Sequence, residues 1–216
     1  MTTAVIGAGN IGKTVAGLLS NAGEPVVIAT SRVPADIARE LGGSVTAATV
    51  ADAIDQSDAV VFAVWLDVMK QLIAEHGPRL RGKVVIDPSN PYNFDATGNA
   101  TRTLPDGVSS GSVVADLLPP SAHYVKAFGT LAAPSLASGA GRTPNRAVLF
   151  YATDDVLAQA AVERLITAAG FDPVRAGGLD AALRIEMFGD LHQYGGLNGQ
   201  LLDVDQARSA VMAAPA

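Results

Sequence analysis

Glycines near the start of the chain have the spacing of two different phosphate-binding loops. The segment GAGNIGKT runs from Gly7 to Thr14. With Gly7, Gly12, Lys13 and Thr14 as the fixed positions, it matches the P-loop, which binds a nucleoside triphosphate and its magnesium ion. With Gly7, Gly9 and Gly12 as the fixed positions, it matches the loop that binds the pyrophosphate of a dinucleotide. The pattern alone does not choose between these two sites.

The segment that follows the second predicted strand favours the dinucleotide. A P-loop does not need Gly9, whereas a dinucleotide loop uses its missing side chain to let the pyrophosphate approach the backbone. The second strand ends in Thr30-Ser31-Arg32, with no acidic residue to bind the ribose 2′-hydroxyl of NAD. A guanidinium beside two hydroxyls suits the 2′-phosphate of NADP. The P-loop alternative stays open, because Asp87 at the end of another strand could serve as its magnesium-binding acid.

Alternating strand and helix patterns predict the elements that must position these residues. A continuous apolar run over residues 59–66 is typical of a parallel strand covered on both faces. The pattern predicts an α/β fold: a Rossmann-type, doubly wound, mostly parallel sheet with a small C-terminal helical extension. Strands are predicted over residues 3–6, 25–29, 44–46, 58–65, 83–86, 124–128, 147–151 and 171–174. Helices are predicted over residues 11–21, 34–41, 50–56, 67–76, 154–169 and 179–199, the last one broken near residues 195–196.

The same pattern suggests how the chain divides. We expect a dinucleotide-binding domain over residues 1–152 and a C-terminal α/β extension over residues 153–216, with one single domain as the alternative. Residues 87–111 are rich in Pro, Asn, Gly and Thr and are predicted to form a long loop. Loops of that length are uncommon and often functional. This one is interpreted either as a wall of a second-substrate pocket or as a surface excursion.

Composition excludes several classes of protein. The 216 residues include no cysteine, which rules out disulfides, thiolate metal sites and cysteine nucleophiles. The formal net charge of −6 argues against a nucleic acid partner, whose phosphates require a basic face. The longest apolar run is far shorter than the roughly 20 residues that cross a bilayer, and no leader pattern is visible. We therefore expect a cytoplasmic protein with a small-molecule substrate and no membrane partner.

No catalytic or metal-binding cluster is visible in the sequence. The three histidines are His76, His123 and His192. None has metal-site or triad spacing, and a structural role is expected for each. Asp87, Ser89 and Glu186 have suitable acid–base chemistry, as do many solvated residues. A carbonyl reductase normally needs a positioned proton donor, whereas hydride transfer between two bound cofactors needs only their alignment. The pattern therefore favours hydride transfer between cofactors.

Six segments together resemble one family. They are VIGAGNIG at residues 5–12, IATSR at 28–32, DAVVFAV at 58–64, VVIDPSNP at 84–91, YVKAFGTL at 124–131 and LDAALRIEMFGDLH at 179–192. The chain resembles the NADP-dependent reductases of the deazaflavin coenzyme F420, together with the related N-terminal domain of the STEAP metalloreductases. The first two segments are generic to NADP-binding folds, whereas VIDPSNP and VKAFGTL are more specific.

The resemblance implies a set of binding residues. The cofactor NADP would be bound by Gly7, Ala8, Gly9, Asn10, Ile11, Gly12, Thr30, Ser31, Arg32, Ala63, Val64, Trp65 and Asn90. The second substrate would be bound by Phe128, Gly129, Leu131 and Ala133. Relatives often have Asn or His at the position of Gly129, so a wider or differently polar acceptor pocket is expected. Relatives also tend to have a second cation shortly after the arginine, and Pro34-Ala35-Asp36 offers none.

The activity that follows from the resemblance is hydride transfer between NADPH and a deazaflavin, coenzyme F420, or a flavin-like acceptor. The alternatives are an NADPH-dependent imine or carbonyl reductase and a non-catalytic protein that senses the NADP redox state. The family resemblance also favours a homodimer.

Overall fold

The computed structural model describes residues 1–31 and 34–213 and contains a mostly parallel sheet. The strands are β1 (Thr3–Ile6), β2 (Val26–Ala29), β3 (Val45–Ala47), β4 (Ala59–Phe62), β5 (Val84–Asp87), β6 (Tyr92–Phe94), β7 (Ala100–Arg102), β8 (His123–Ala127), β9 (Val148–Ala152) and β10 (Asp172–Gly177). Eight strands form one sheet in the order β10-β9-β8-β5-β4-β1-β2-β3. Every pair in it is parallel except β8 with β9, and β6 and β7 form a separate antiparallel hairpin. The prediction of a Rossmann-type sheet is confirmed.

Helices cover both faces of this sheet. They are α1 (Asn10–Asn21), α2 (Pro34–Leu41), α3 (Val50–Asp55), α4 (Leu66–His76), α5 (Ser110–Leu117), α6 (Ala133–Gly139), α7 (Val156–Ala168), α8 (Ala182–Ile185) and α9 (Val204–Met212). Two short 3₁₀ helices span Gly77–Leu80 and Leu179–Ala181. No helix in the described part of the chain is long and apolar enough to span a bilayer.

Alternation along the strands divides the core into two layers. In β1, Val5 packs into the cluster formed with α1, α6 and α7, whereas Ala4 and Ile6 pack into the cluster formed with α3, α4 and α5. This is the result expected of a strand, because successive side chains point to opposite faces. The continuous apolar runs of the sequence therefore reflect burial of both faces of the sheet.

The C-terminal region differs from its predicted helix. Only Leu179–Ala181 and Ala182–Ile185 are helical, and residues 186–199 form consecutive turns. The glycines explain the difference, because the backbone folds back on itself where they lie. A Cβ at Gly195 would lie 1.9 Å from Gly189 O, and one at Gly196 would lie 2.5 Å from Asp190 O. The predicted helix over residues 179–199 is therefore wrong beyond its first turns.

The predicted long loop over residues 87–111 is also wrong in part. It contains the β6–β7 hairpin and ends in the first turn of α5. The hairpin turn is organised by Asp95, whose carboxylate accepts hydrogen bonds from Thr97 N at 2.8 Å and Asn99 N at 2.9 Å. Hydrogen bonds from the side chains of Thr97 and then Asn99 hold the pKa of Asp95 well below its usual value. Helices α5, α6 and α9 were likewise not predicted from the sequence pattern.

Helix α1 packs against β1 through a contact that only glycine allows. Gly7 has a φ of 105°. A Cβ added at Gly12 would lie 2.1 Å from Gly7 O and 3.1 Å from the Ala63 Cβ. The same helix contains a second glycine, Gly17, where an added Cβ would meet only Leu41 Cδ2 at an ordinary 3.6 Å. The two glycines of α1 therefore differ in function although they share a helix.

We expect Gly12→Ala to lower the free energy of unfolding by about 1–3 kcal/mol, because the added methyl group must displace the backbone of Gly7. The matched control Gly17→Ala should leave the free energy of unfolding unchanged or raise it by up to about 1 kcal/mol, because alanine favours helix more than glycine does. Urea unfolding of both variants checks this. Equal loss in both would show that the close contact at Gly12 is not the cause.

Candidate active site

The carboxyl ends of five neighbouring strands bring the predicted binding residues to one edge of the sheet. The glycine loop follows β1, Thr30 and Ser31 follow β2, Ala63 to Trp65 follow β4, Asn90 follows β5, and residues 128–133 follow β8. Ligands of open α/β sheets bind at this edge. Arg32, the residue expected to read the 2′-phosphate, lies outside the described residues.

The glycine loop forms a cradle at the N-terminus of α1. A Cβ at Gly7 would lie 2.3 Å from Ala63 O, so this loop lies directly against the end of β4. Gly9 is the N-cap residue of α1, and the helix has no side-chain cap there. A Cβ added at Gly9 would have no atom within 4 Å. The first backbone bond of the helix runs from Lys13 N to Gly9 O at 2.9 Å. The N–H groups of residues 10–12 therefore face an open space suited to a pyrophosphate.

Contacts of Lys13 and Asp87 count against the P-loop alternative. Lys13 Nζ donates to both carboxylate oxygens of Glu40, at 2.9 and 2.7 Å. Asp87 is fully buried and accepts hydrogen bonds from the Tyr124 hydroxyl at 2.8 Å and Lys126 Nζ at 3.1 Å. A P-loop would need this lysine on phosphate and an acid at the strand end on magnesium. The geometry of the loop therefore favours a dinucleotide.

A buried ammonium group lies beneath the site, at a residue that is not among the predicted site residues. Lys126 Nζ donates to Ser89 O at 2.8 Å, Ser110 Oγ at 2.8 Å and Asp87 Oδ2 at 3.1 Å, and it lies 3.6 Å from Glu186 Oε1. Lysine is almost never buried unless it is paired. A lysine inside the apolar strand YVKAFG is the signal that could have indicated this cluster.

Glu186 connects this cluster to the C-terminal segment. Its Oε1 accepts hydrogen bonds from Ser110 Oγ at 2.8 Å and Gly111 N at 3.1 Å, both in the first turn of α5. A carboxylate is favourable there because the helix N-terminus carries partial positive charge. Burial, followed by the negative charge of Asp87, raises the pKa of Tyr124, which stays a neutral donor. Asp87 and Glu186, two of the acid–base candidates, are thus buried structural residues.

Asn90 joins three segments of the site. Its Nδ2 donates to Gly129 O at 3.3 Å, and its Oδ1 accepts from Met187 N at 2.6 Å. The loop after β5 is therefore tied to the loop after β8 and to the C-terminal turns. One N–H and one lone pair of the amide remain beyond these bonds, so the predicted contact of Asn90 with a cofactor would use one of these two groups.

The C-terminal turns also bind the loop after β8. His192 Nδ1 accepts from Tyr194 N at 3.0 Å, which places the ring proton on Nε2, and Nε2 donates to Gly129 O at 3.1 Å. Gln193 continues the contact, since its N donates to Thr130 O at 3.0 Å and its Oε1 accepts from Ala132 N at 2.9 Å. Burial lowers the pKa of His192 to about 4, against the opposing effect of the bond to Gly129.

These contacts change the expected roles of the residues over 128–133. Phe128 and Leu131 are buried in the core, so their side chains pack inside the protein and do not line an open pocket. A Cβ at Gly129 would lie 2.5 Å from Pro88 O. The missing side chain at Gly129 therefore allows a close backbone contact, and the expected wider or differently polar acceptor pocket stays a prediction. A ligand would meet this segment through its backbone and through Ala133, which begins α6 and is half-buried.

Exposed aromatic rings border the site on its other side. Trp65 is 58% exposed, and its ring centroid lies 6.2 Å from that of Phe94 on the hairpin. Tyr92 meets the half-exposed Phe188 edge-to-face at 5.1 Å. We call Trp65, Tyr92, Phe94 and Phe188 the aromatic face. Trp65 is therefore not a core residue, and the hairpin lies next to the end of β4.

The buried, neutral His192 leads to a prediction about pH. Its pKa is about 4 in the folded chain and 6.5 without burial, so only the unfolded chain takes up a proton between these values. The free energy of unfolding should therefore fall as the pH decreases from 6.5 to 4, by up to about 1.4 kcal/mol per pH unit from this group. Urea unfolding at several pH values should give a shallower slope for His192→Gln, whose amide can still donate to Gly129 O. An unchanged slope would contradict a buried neutral imidazole.

Comparison with known proteins identifies structures of the same fold. A hypothetical protein of Sinorhizobium meliloti is 33% identical, with a TM-score of 0.81 over 94% of this chain and 95% of that one. A protein of Arthrobacter sp. FB24, described as a candidate F420-dependent NADP reductase, is 27% identical, with a TM-score of 0.72 over 84% and 87% of the two chains. A search of curated proteins found no match.

More distant structures share the fold alone. The reductive aminase of Aspergillus terreus, solved with NADPH, is 20% identical and has a TM-score of 0.61. The match covers 84% of this chain but 56% of that enzyme, so this chain spans about half of its length.

A protein-family model also matches part of the chain. Residues 2–91 match the model described as NADP oxidoreductase, coenzyme F420-dependent. This stretch contains the glycine loop and the ends of β1, β2, β4 and β5. Over this stretch the chain is similar to the coenzyme F420-dependent NADP oxidoreductases. Over 84% of its length it is also similar to the protein of Arthrobacter sp. FB24 described as such a reductase.

Proposed function

We propose that this protein transfers hydride between NADPH and a deazaflavin, coenzyme F420, or a flavin-like acceptor. The observation that carries the proposal is the continuity between the glycine cradle and the aromatic face. Gly7 lies against Ala63 and Val64, and Trp65, the next residue, is exposed and contacts the hairpin ring of Phe94. A dinucleotide bound at the cradle would thus end beside a surface that suits a second planar ring.

The glycine cradle supports binding of the pyrophosphate of NADP. The cradle offers N–H groups, an open space at Gly9 and no acidic residue in the first turn of α1. Ser31 is exposed at the end of β2, and Arg32 follows it in the sequence. We assign the 2′-phosphate to Ser31 and Arg32, since a guanidinium binds phosphate through paired hydrogen bonds. When bound, the nicotinamide of NADPH supplies the hydride.

The protein would contribute alignment and exclusion of water. The residues that could carry protons beneath the site, namely Asp87, Lys126 and Glu186, are buried, and each carboxylate forms an ion pair with Lys126. A flavin-type acceptor does not need them, because its ring takes the hydride and a solvent proton completes the reduction. NADPH is thereby oxidised to NADP⁺, and the acceptor gains two electrons and two hydrogens. Rings held at reacting distance account for the catalysis.

Reduction of an imine or carbonyl by NADPH is the second candidate, and a non-catalytic NADP sensor is the third. Reduction of an imine or carbonyl would require a proton donor on the open side of the site. Cytoplasmic location and a homodimeric state remain predictions from the sequence and the family resemblance.

The role of Arg32 can be tested by cofactor binding. We expect Arg32→Ala to weaken NADPH binding by about 10- to 100-fold, because charge-assisted hydrogen bonds contribute about 1.5–3 kcal/mol. Binding of NADH, which lacks the 2′-phosphate, should change little. The matched control is Arg39→Ala, which removes an exposed arginine paired with Asp36 on α2. Isothermal titration of both cofactors with each variant gives the result. Equal losses for NADPH and NADH would refute the assignment.

The acceptor can be identified by following NADPH absorbance. We expect NADPH oxidation in the presence of coenzyme F420 or a flavin, and no oxidation in the presence of a cyclic imine or a ketone. Turnover confined to the imine or ketone would replace the proposal with the second candidate. Tight NADPH binding without any turnover would favour the sensor. Magnesium-dependent ATP hydrolysis that Lys13→Ala abolishes would restore the P-loop alternative.

A further inference from the structure

An arginine on the hairpin carries a charge that the structure leaves uncompensated. Arg102 lies opposite Tyr92 across the β6–β7 pair, and its Cζ lies 5.6 Å from the centroid of the Tyr92 ring. Its Nη2 donates to Val108 O at 2.7 Å, and Nη1 lies 3.4 Å from the Tyr92 hydroxyl. These contacts hold the guanidinium in place through neutral groups only.

Several other arginines differ in this respect, whereas Arg142 also bonds only to neutral groups, the carbonyls of Asn145 and Leu201. What sets Arg102 apart from Arg142 is its position over the Tyr92 ring. Arg39, Arg164 and Arg184 each pair with a carboxylate. Among residues 1–31 and 34–213, no carboxylate lies within 4.0 Å of the Arg102 guanidinium. Its Nε is buried and has no hydrogen-bond partner there. In a chain with a net charge of −6, a half-buried arginine without an acidic partner indicates a site for an anion.

Arg102 lies close to the aromatic face, on which the proposed acceptor would bind. Tyr92, which the guanidinium contacts, belongs to the aromatic face and lies two residues after Asn90. The hairpin therefore presents rings toward the end of β4 and a cation beside them. A molecule that packs its planar ring on the aromatic face would place a side chain bearing negative charge within reach of Arg102. The arrangement complements an aromatic acceptor with an anionic tail.

We propose that Arg102 selects the acceptor by binding a phosphate group on the side chain of a flavin or deazaflavin. This inference rests on the proposed function and specifies the substrate class of the same site. Because Nε is buried, a phosphate would meet the N–H groups of Nη1 and Nη2 that remain beyond the bonds to Tyr92 and Val108. The contact with Val108 O fixes the orientation of the guanidinium before the acceptor binds. Arg102 does not contact the reacting atoms and acts on acceptor affinity.

Flavin mononucleotide and riboflavin test the inference, because they share one ring system and differ by a single phosphate. With NADPH in excess, we expect the wild-type KM to be about 10-fold lower for flavin mononucleotide than for riboflavin. Arg102→Met should raise the KM for flavin mononucleotide to near that of riboflavin and change the riboflavin KM less than about threefold. Arg102→Lys, which keeps the charge, should have an intermediate effect.

The control variant is Arg81→Met, which removes an exposed arginine at the opposite edge of the sheet, before β5. It should leave both KM values unchanged.

If Arg102→Met fails to fold, the wild-type protein still gives a result. Added potassium chloride should raise the KM for flavin mononucleotide and leave that for riboflavin unchanged, because salt screens the exposed part of the charge pair.

The outcomes separate this inference from the proposed function. Similar KM values for both flavins, insensitive to salt and to Arg102→Met, would overturn the role of Arg102 while hydride transfer stands. If neither flavin oxidises NADPH, quenching of flavin fluorescence measures binding directly. Tighter binding of the phosphorylated flavin, lost in Arg102→Met, would then support the anion site although the proposed reaction has failed. Equal or absent binding of both flavins would overturn the site.

Discussion

The buried ammonium of Lys126 is the interaction on which the shape of the site depends. It bonds to Asp87 at the end of β5, to the carbonyl of Ser89 in the following loop and to Ser110 at the start of α5, and Glu186 of the C-terminal segment lies close by. Removing one partner of a buried ion pair typically costs about 3–5 kcal/mol, because the other charge is left without compensation. Four segments distant in sequence are therefore held in one arrangement. This arrangement also fixes the positions of the loops that form the site.

The loops themselves are fixed mainly through backbone groups. Gly129 O accepts from both Asn90 and His192, and Gln193 bonds to Thr130 O and Ala132 N. None of these contacts requires a particular side chain on the loop after β8, and the close approach to Pro88 O leaves no room for one at Gly129. The C-terminal turns thus hold the loops of the site in place through hydrogen bonds. This role explains why a segment without regular helix contains so many buried polar groups.

Sequence patterns predicted the sheet well because its signals are local. The strands from β1 to β5, the helices between them and the glycine cradle each depend on neighbouring residues, and all were predicted within one to three residues. The errors concern features set by distant contacts. The turns over residues 186–199 depend on glycine contacts within that segment and on bonds to the loop after β8, and the cluster around Lys126 joins residues far apart in the chain. A lysine in an apolar strand indicates a buried partner, but it does not identify that partner.

The charge distribution explains how an acidic protein can accept anionic ligands. The formal charge of −6 would repel a dinucleotide phosphate at long range. Such repulsion is screened within about 10 Å at moderate salt, whereas the N–H groups of the cradle act at contact distance. The acidic groups nearest the site are partly compensated, since Glu40 pairs with Lys13 and the carboxylates of Asp87 and Glu186 share the single ammonium of Lys126. The hairpin arginine has no such partner in the described chain. Pairing therefore reduces the negative charge near the glycine cradle, and Arg102 adds a positive charge on the hairpin.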